Sequence, residues 1–166
     1  APFGAVTAAG IEDAVVTGSL SAFPGLPELR VGWLVADREF VAAARRVRDH
    51  YPGVAKTSVA LAERALYAAD DLAGEARDLL ADNAALLAEF VAERPDVAGP
   101  VATNYALLDC GVDGDRVAEA AWEAGVLVVP GRCFDAPDEV RVGLGGDPTD
   151  GEGALREFGA VLDGLH

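Results

Sequence analysis

The side chains best suited to chemistry in this sequence are anion-binding groups rather than paired acids or nucleophiles. Ser19 and Ser21 flank Leu20, and Arg30 follows across the turn-rich stretch Ala22-Phe23-Pro24-Gly25-Leu26-Pro27-Glu28-Leu29. Two hydroxyls, backbone amides at a tight turn and one guanidinium suit a phosphate or a carboxylate. The plainer reading is a structural turn, with Arg30 paired to a local carboxylate. Arg141 lies inside the apolar run Glu139-Val140-Arg141-Val142-Gly143-Leu144. A guanidinium there needs a partner, and a bidentate carboxylate matches its planar fork; a surface-facing strand arginine is the alternative.

Other reactive groups offer less. Cys133 follows Pro130-Gly131-Arg132 and would need a base such as His50 to act as a nucleophile, a contact that sequence alone does not supply. Lys56 is the single lysine, and it stands far along the chain from Arg30. The two histidines are far apart and no C-x-x-C or H-x-x-x-H spacing occurs, so no metal site is expected. The glycines in Gly143-Leu144-Gly145-Gly146-Asp147 lack the spacing of a dinucleotide fingerprint and read as a turn.

The elements that must position these groups follow from periodicity. Ala14–Gly18 and Leu29–Ala36 are short apolar runs bounded by turn residues, hence strands buried on both faces. The link between them is too short for a helical crossover, so they pair antiparallel. Asp37 caps a helix running to about His50, with Phe40, Val41, Ala44 and Val47 on one side. A long helical stretch covers Thr57 to Glu93, with a break expected at Gly74. Beyond Pro95 come a strand at Thr103–Cys110, a helix at Arg116–Ala124 capped by Asp115 and closed by Gly125, and strands at Val126–Val129 and Glu139–Leu144. A last helix spans Glu152–Leu165. Short strands backed by helices on one face make an α+β layer.

Two stretches carry a family resemblance. Ser19–Trp33 (SLSAFPGLPELRVGW) resembles the cofactor loop S-L-S-K-A-F-G-L-P-G-L-R-x-G-W of fold-type I, class I/II pyridoxal-phosphate aminotransferases. Gly125–Pro148 (GVLVVPGRCFDAPDEVRVGLGGDP) is similar to that family's C-terminal segment G-V-x-V-x-P-G-R-x-F-x-x-P-x-x-x-R-x-x-L. The two occur in the family's order, separated by helices, and the resemblance runs from about Ala14 onward.

The resemblance implies roles. In the family a lysine holds the cofactor as a Schiff base while the serines and the arginine hold its phosphate. Counted back from Arg30, the lysine position falls on Ala22. Ser19, Ser21 and Arg30 are therefore the cofactor-binding candidates, and the covalent anchor is missing. Arg141 aligns with the arginine that grips the substrate α-carboxylate, and Asn104 is the second substrate-binding candidate. Family members are more than twice this length, so the chain corresponds to their C-terminal half. The aspartate on the pyridine nitrogen and the stacking aromatic would lie upstream.

Composition narrows the rest. Of 166 residues 51% are hydrophobic, enough for one good core. A net charge of −15 disfavours nucleic acid and acidic membranes. No apolar run approaches a spanning helix and no signal segment opens the chain, and two cysteines point to cytosolic thiols, so a cytoplasmic location is expected.

The expected fold is α/β (α+β), an aminotransferase-like small domain with a short mixed or antiparallel sheet packed by helices, plus a remnant strand pair of the large domain. The expected divisions are 1–53 for that remnant, 54–96 for a helical connector and 97–166 for the small domain. The expected function is a truncated aminotransferase-like protein that does not transaminate alone. It would serve as a binding or assembly partner, or act without cofactor on a small carboxylate-bearing molecule. The alternative is one half of a split aminotransferase acting on an amino acid. No cofactor is expected for the isolated chain, and pyridoxal phosphate only if a partner completes the site. The expected partners are a second copy or a complementary half, and a small carboxylate or phosphate ligand.

Overall fold

A computed structural model describes residues 7–21, 26 and 29–166. The chain divides into two compact units between Arg77 and Asp78.

The first unit opens with a hairpin of β1 (Val16–Ser19) and β2 (Gly32–Val35). The pair is antiparallel, as the short connection requires, with Gly18 opposite Trp33 and Thr17 opposite Leu34. A β-carbon at Gly18 would overlap the Trp33 indole, so any larger residue there would have to displace the ring. The expectation of buried strands is not met within this chain: all four β2 residues are exposed. A two-stranded hairpin buries its faces only against a helix or a second sheet.

Helix α1 (Arg38–Arg48) starts as expected, with Asp37 accepting from the Phe40 N–H at 2.8 Å. Glu39 in its first turn and Arg45, Arg46 and Arg48 in its last suit the helix dipole. None of its residues is buried, although Phe40 and Val47 are apolar.

Helices α2 (Lys56–Tyr67) and α3 (Ala69–Glu93) replace the long helical stretch, and the break lies at Ala68 rather than Gly74. A β-carbon at Gly74 would meet open space, and the residue stays helical. At Ala68 the ladder barely pauses: its N–H donates to Arg64 and its carbonyl accepts from Leu72. Arg64 ends one helix while Asp70 and Asp71 start the next, each favourable to its helix end.

The second unit holds an antiparallel sheet in the order β3 (Tyr105–Asp109), β5 (Glu139–Gly143), β4 (Val129–Pro130). Leu107 and Val129 both stand opposite Arg141. One face of this sheet is buried. Ala106, Leu108, Val140 and Val142 join Leu87 of α3, Val117 and Ala121 of α4 (Gly114–Glu123), and Leu155, Phe158 and Leu162 of α5 (Pro148–Leu165) in one core. Phe90 and Phe158 meet at 5.9 Å between ring centroids. Strand alternation puts Tyr105, Leu107 and Arg141 on the opposite face.

Three boundaries differ from expectation. The cap of α4 is Asp113, which accepts from the Arg116 N–H at 3.0 Å, while Asp115 sits in the first turn. The strand expected at Val126–Val129 shrinks to Val129–Pro130. Gly125 and Val126 instead close α4, donating to the Trp122 and Ala121 carbonyls as a Schellman motif does. Proline is tolerated in β4 because it is an edge strand. Helix α5 starts at Pro148, with Asp147 accepting from the Thr149 N–H at 2.8 Å. An aspartate cap followed by proline at the first helical position favours a helix start where a turn was expected.

Candidate functional site

The serine pair stands where β1 ends. Ser19 Oγ accepts from the Ser21 N–H at 2.9 Å, and the two hydroxyls hydrogen-bond to one another. Leu20 between them is buried. Its N–H donates to the Val31 carbonyl at 2.9 Å, and its own carbonyl accepts from Leu26 at 3.0 Å. These bonds tie the serine end of the loop to the strand that follows Arg30. Arg30 itself adopts a left-handed backbone with φ of 52°, a conformation that costs a non-glycine residue about 1 kcal/mol or more. It is exposed and forms no ion pair among the described residues. Ala22 lies outside the described residues.

The serine pair is brought together, but much of its capacity is spent internally. One hydroxyl proton is used between the two side chains, and Ser19 Oγ already accepts a backbone bond. Among the described residues, the donors left for an anion are one hydroxyl and the Arg30 guanidinium.

Arg141 is the better-built group. It is half-buried on the face of the sheet away from the core. Its guanidinium lies over the Tyr105 ring at 4.6 Å and over the Phe134 ring at 5.8 Å, within cation–π range. Tyr105 pairs directly with Gly143, so no side chain competes with Arg141 for the diagonal position across its ring. Among the described residues no carboxylate forms an ion pair with Arg141. Stacking occupies the flat faces of a guanidinium and leaves its N–H edge for a bidentate anion. Arg141, Tyr105, Phe134, Leu107 and Pro100 line a cleft of about 750 Å³.

Phe134 is delivered by the 3₁₀ turn Gly131–Phe134. The Gly131 carbonyl accepts from Ala136 at 3.0 Å, and a β-carbon on Gly131 would overlap the Ala136 oxygen. Arg132 pairs with Asp115 at 2.9 Å and fastens the turn to α4. Nothing in the sequence pattern announces this stack, because it depends on strand register and on where the turn folds back.

Asn104 is committed to the backbone. Its side-chain amide donates to the Leu144 carbonyl, and its main-chain carbonyl accepts from the Leu144 N–H at 2.8 Å. Asn83, which sequence reasoning passed over, is fully buried and donates to the Gly146 carbonyl at 2.9 Å. The two asparagines hold the segment between β5 and α5. Asn83 was detectable: it falls on the apolar stripe of Leu79, Leu86, Leu87 and Phe90, where a polar residue must have a bonded reason to be.

The remaining titratable groups are structural or unengaged. Arg94 bonds Asp96 at 2.8 Å, Asp163 at 2.7 Å and the Gly159 carbonyl at 3.3 Å, tying the end of α3 to α5. Arg94 in turn holds the Asp96 carboxyl below its ordinary range. Burial pushes the Cys110 thiol up to about 11, so it stays protonated and inert, whereas Cys133 is exposed. Lys56 is exposed at the start of α2. No cluster of metal-binding side chains occurs among the described residues, and no helix among them is long and apolar enough to cross a membrane.

Comparison with known proteins finds relatives that match most of this chain. The family model for aminotransferase class I and II matches residues 3–158. An aromatic amino acid aminotransferase from Nocardia farcinica is 34% identical over 143 residues, covering 86% of this chain and 38% of that protein. A histidinol-phosphate aminotransferase from Geobacillus thermodenitrificans is 30% identical over 137 residues, covering 81% and 36%. Among solved structures, a PLP-dependent aminotransferase from Streptococcus suis superposes with a TM-score of 0.84 over 92% of this chain and 42% of its own, at 24% identity, a likeness of fold. The chain thus spans well under half the length of the relatives it matches.

Proposed function

The chain belongs to the class I and II aminotransferase family, and from that premise we propose that it is a carboxylate-binding member that does not transaminate as an isolated chain. The family is pyridoxal-phosphate dependent, and the fit of that group to the residues present is partial. Ser19, Ser21 and Arg30 offer donors of the right chemistry for a phosphate. The resemblance puts the anchoring amine at Ala22, a side chain that neither forms a Schiff base nor moves a proton. The donor set fits the phosphate end of the cofactor and not its aldehyde end.

The observation that carries the reading is Arg141 within cation–π range of two rings, half-buried and unpaired among the described residues. A partly buried cation with no carboxylate partner of its own is a receptor for a carboxylate. Calorimetric titration with an α-keto acid tests it: Arg141→Ala should weaken binding by about 1.5–3 kcal/mol and leave the fold intact. An unchanged affinity would remove Arg141 from the function.

A second reading, one part of a split aminotransferase, is favoured by a different observation. The first unit leaves Val15, Trp33, Leu34, Val35 and Phe40 exposed, a set that a complementary polypeptide or a second copy would cover. Under it, a complementary chain added to this one would restore pyridoxal-phosphate-dependent turnover, with the amine supplied from outside Ala22.

A further inference from the structure

We infer that the cleft at Arg141 selects acids with an apolar, preferably aromatic, tail and discriminates against dicarboxylates, with Phe134 and Tyr105 as its specificity-determining residues. The inference rests on the carboxylate reading of Arg141 given above. Arg141 is the only formal cation lining the cleft among the described residues; Tyr105, Leu107, Phe134 and Pro100 present carbon. Thr103, the one hydroxyl-bearing aliphatic side chain there, is turned to its own strand: its Oγ donates to the Tyr105 carbonyl at 3.0 Å and accepts from the Tyr105 N–H at 3.3 Å.

A monocarboxylate bonded to the guanidinium edge would therefore run its tail along ring and aliphatic surface. A second carboxylate would find no second cation. It would instead meet the field of Glu139, two residues from Arg141 on the same face of β5, in a chain of net charge −15. Repulsion of a dianion and burial of an apolar tail act in the same direction. The Gly131 turn and the pairing of Tyr105 with Gly143 fix the backbone that presents each ring to the cleft.

Titration calorimetry of the whole chain with 3-phenylpropionate and with glutarate, two simple acids, tests this. The phenyl acid binds about tenfold more tightly than glutarate, which is about the gain from burying part of a ring. Phe134→Ala lowers the phenyl acid's affinity about fivefold and leaves glutarate unchanged, and Phe134→Tyr restores it. Tyr105→Leu, which keeps bulk but removes the ring, gives the same one-sided loss. Because Phe134 is exposed, an unchanged unfolding midpoint accompanies Phe134→Ala. Equal affinity for the two acids, with both lost in Arg141→Ala, overturns the selectivity and leaves the carboxylate reading standing. Binding of neither acid, or of both acids undiminished in Arg141→Ala, overturns the two together.

Discussion

The two units of this chain are built from similar amounts of apolar sequence and use it differently. In the second, the sheet β3–β5–β4 turns one face to three helices and encloses Leu87, Leu108, Val117, Val140, Phe158 and Leu162 almost completely. In the first, Leu20 and Ala62 are the buried hydrophobic residues among those described, while Trp33, Leu34, Val35 and Phe40 remain exposed. A fully buried large side chain contributes roughly 1.5–3 kcal/mol relative to leaving it in water. The second unit therefore carries its own core, whereas among the described residues β2 and α1 bury no side chain. Membership of a family does not make each part of a chain self-sufficient.

Truncation of core residues should expose the contrast most strongly. Phe158→Ala should destabilise the second unit by about 3–5 kcal/mol in denaturant titration, whereas Trp33→Ala should cost under about 1 kcal/mol. Comparable losses would mean that the hairpin is covered in solution. Such cover would also appear as concentration-dependent mass in sedimentation velocity at micromolar protein.

Asn83→Ala should cost about 1–3 kcal/mol, since a fully buried side chain and its hydrogen bond to the Gly146 carbonyl are lost. An unchanged midpoint would mean that water already serves that carbonyl. At α4 the effect is smaller but sharper in sign. Asp113→Ala should cost about 1 kcal/mol through loss of the cap, and Asp115→Ala under about 0.5 kcal/mol, because its ion pair with Arg132 is half exposed.

A pH dependence is weaker still. Arg94 lowers the Asp96 pKa in the folded chain, so this pair contributes stability above the ordinary carboxylate range and loses it as pH falls through the lowered folded pKa. Asp96→Asn should flatten that acid limb of the stability curve, and an unaltered limb would show that other carboxylates govern it.

Much of this organisation was legible in residues. Asp37 before an amphipathic run, Gly125 after one, and a link too short for a crossover between Gly18 and Gly32 each dictate a local geometry that the structure adopts. Asp147-Pro148 carried an equally good helix-start signal that the neighbouring glycines obscured. The break at Ala68 had no glycine or proline to mark it, since it arises from how two helices share one hydrogen-bond ladder. The choice of Asp113 over Asp115 turned on a two-residue difference in where the chain enters α4.

The site was legible only in part. Arg141 stands out as a charge in an apolar strand, but its two rings come from a neighbouring strand and a distant turn that only tertiary register brings near. Asn104 signalled polarity at a strand start, and its amide turned out to serve the Leu144 backbone. Exposure of the hairpin could not be read from Val, Trp and Leu at all, because apolar residues report the need for cover and not its source.

If this family member binds carboxylates but lacks a covalent cofactor anchor, its intact mass should say so. The chain is incubated with equimolar pyridoxal phosphate and reduced with borohydride before measurement. An unmodified mass is the result expected from Ala22, and a stoichiometric adduct would contradict it, with an adduct on Lys56 showing that another amine has taken the lysine's place.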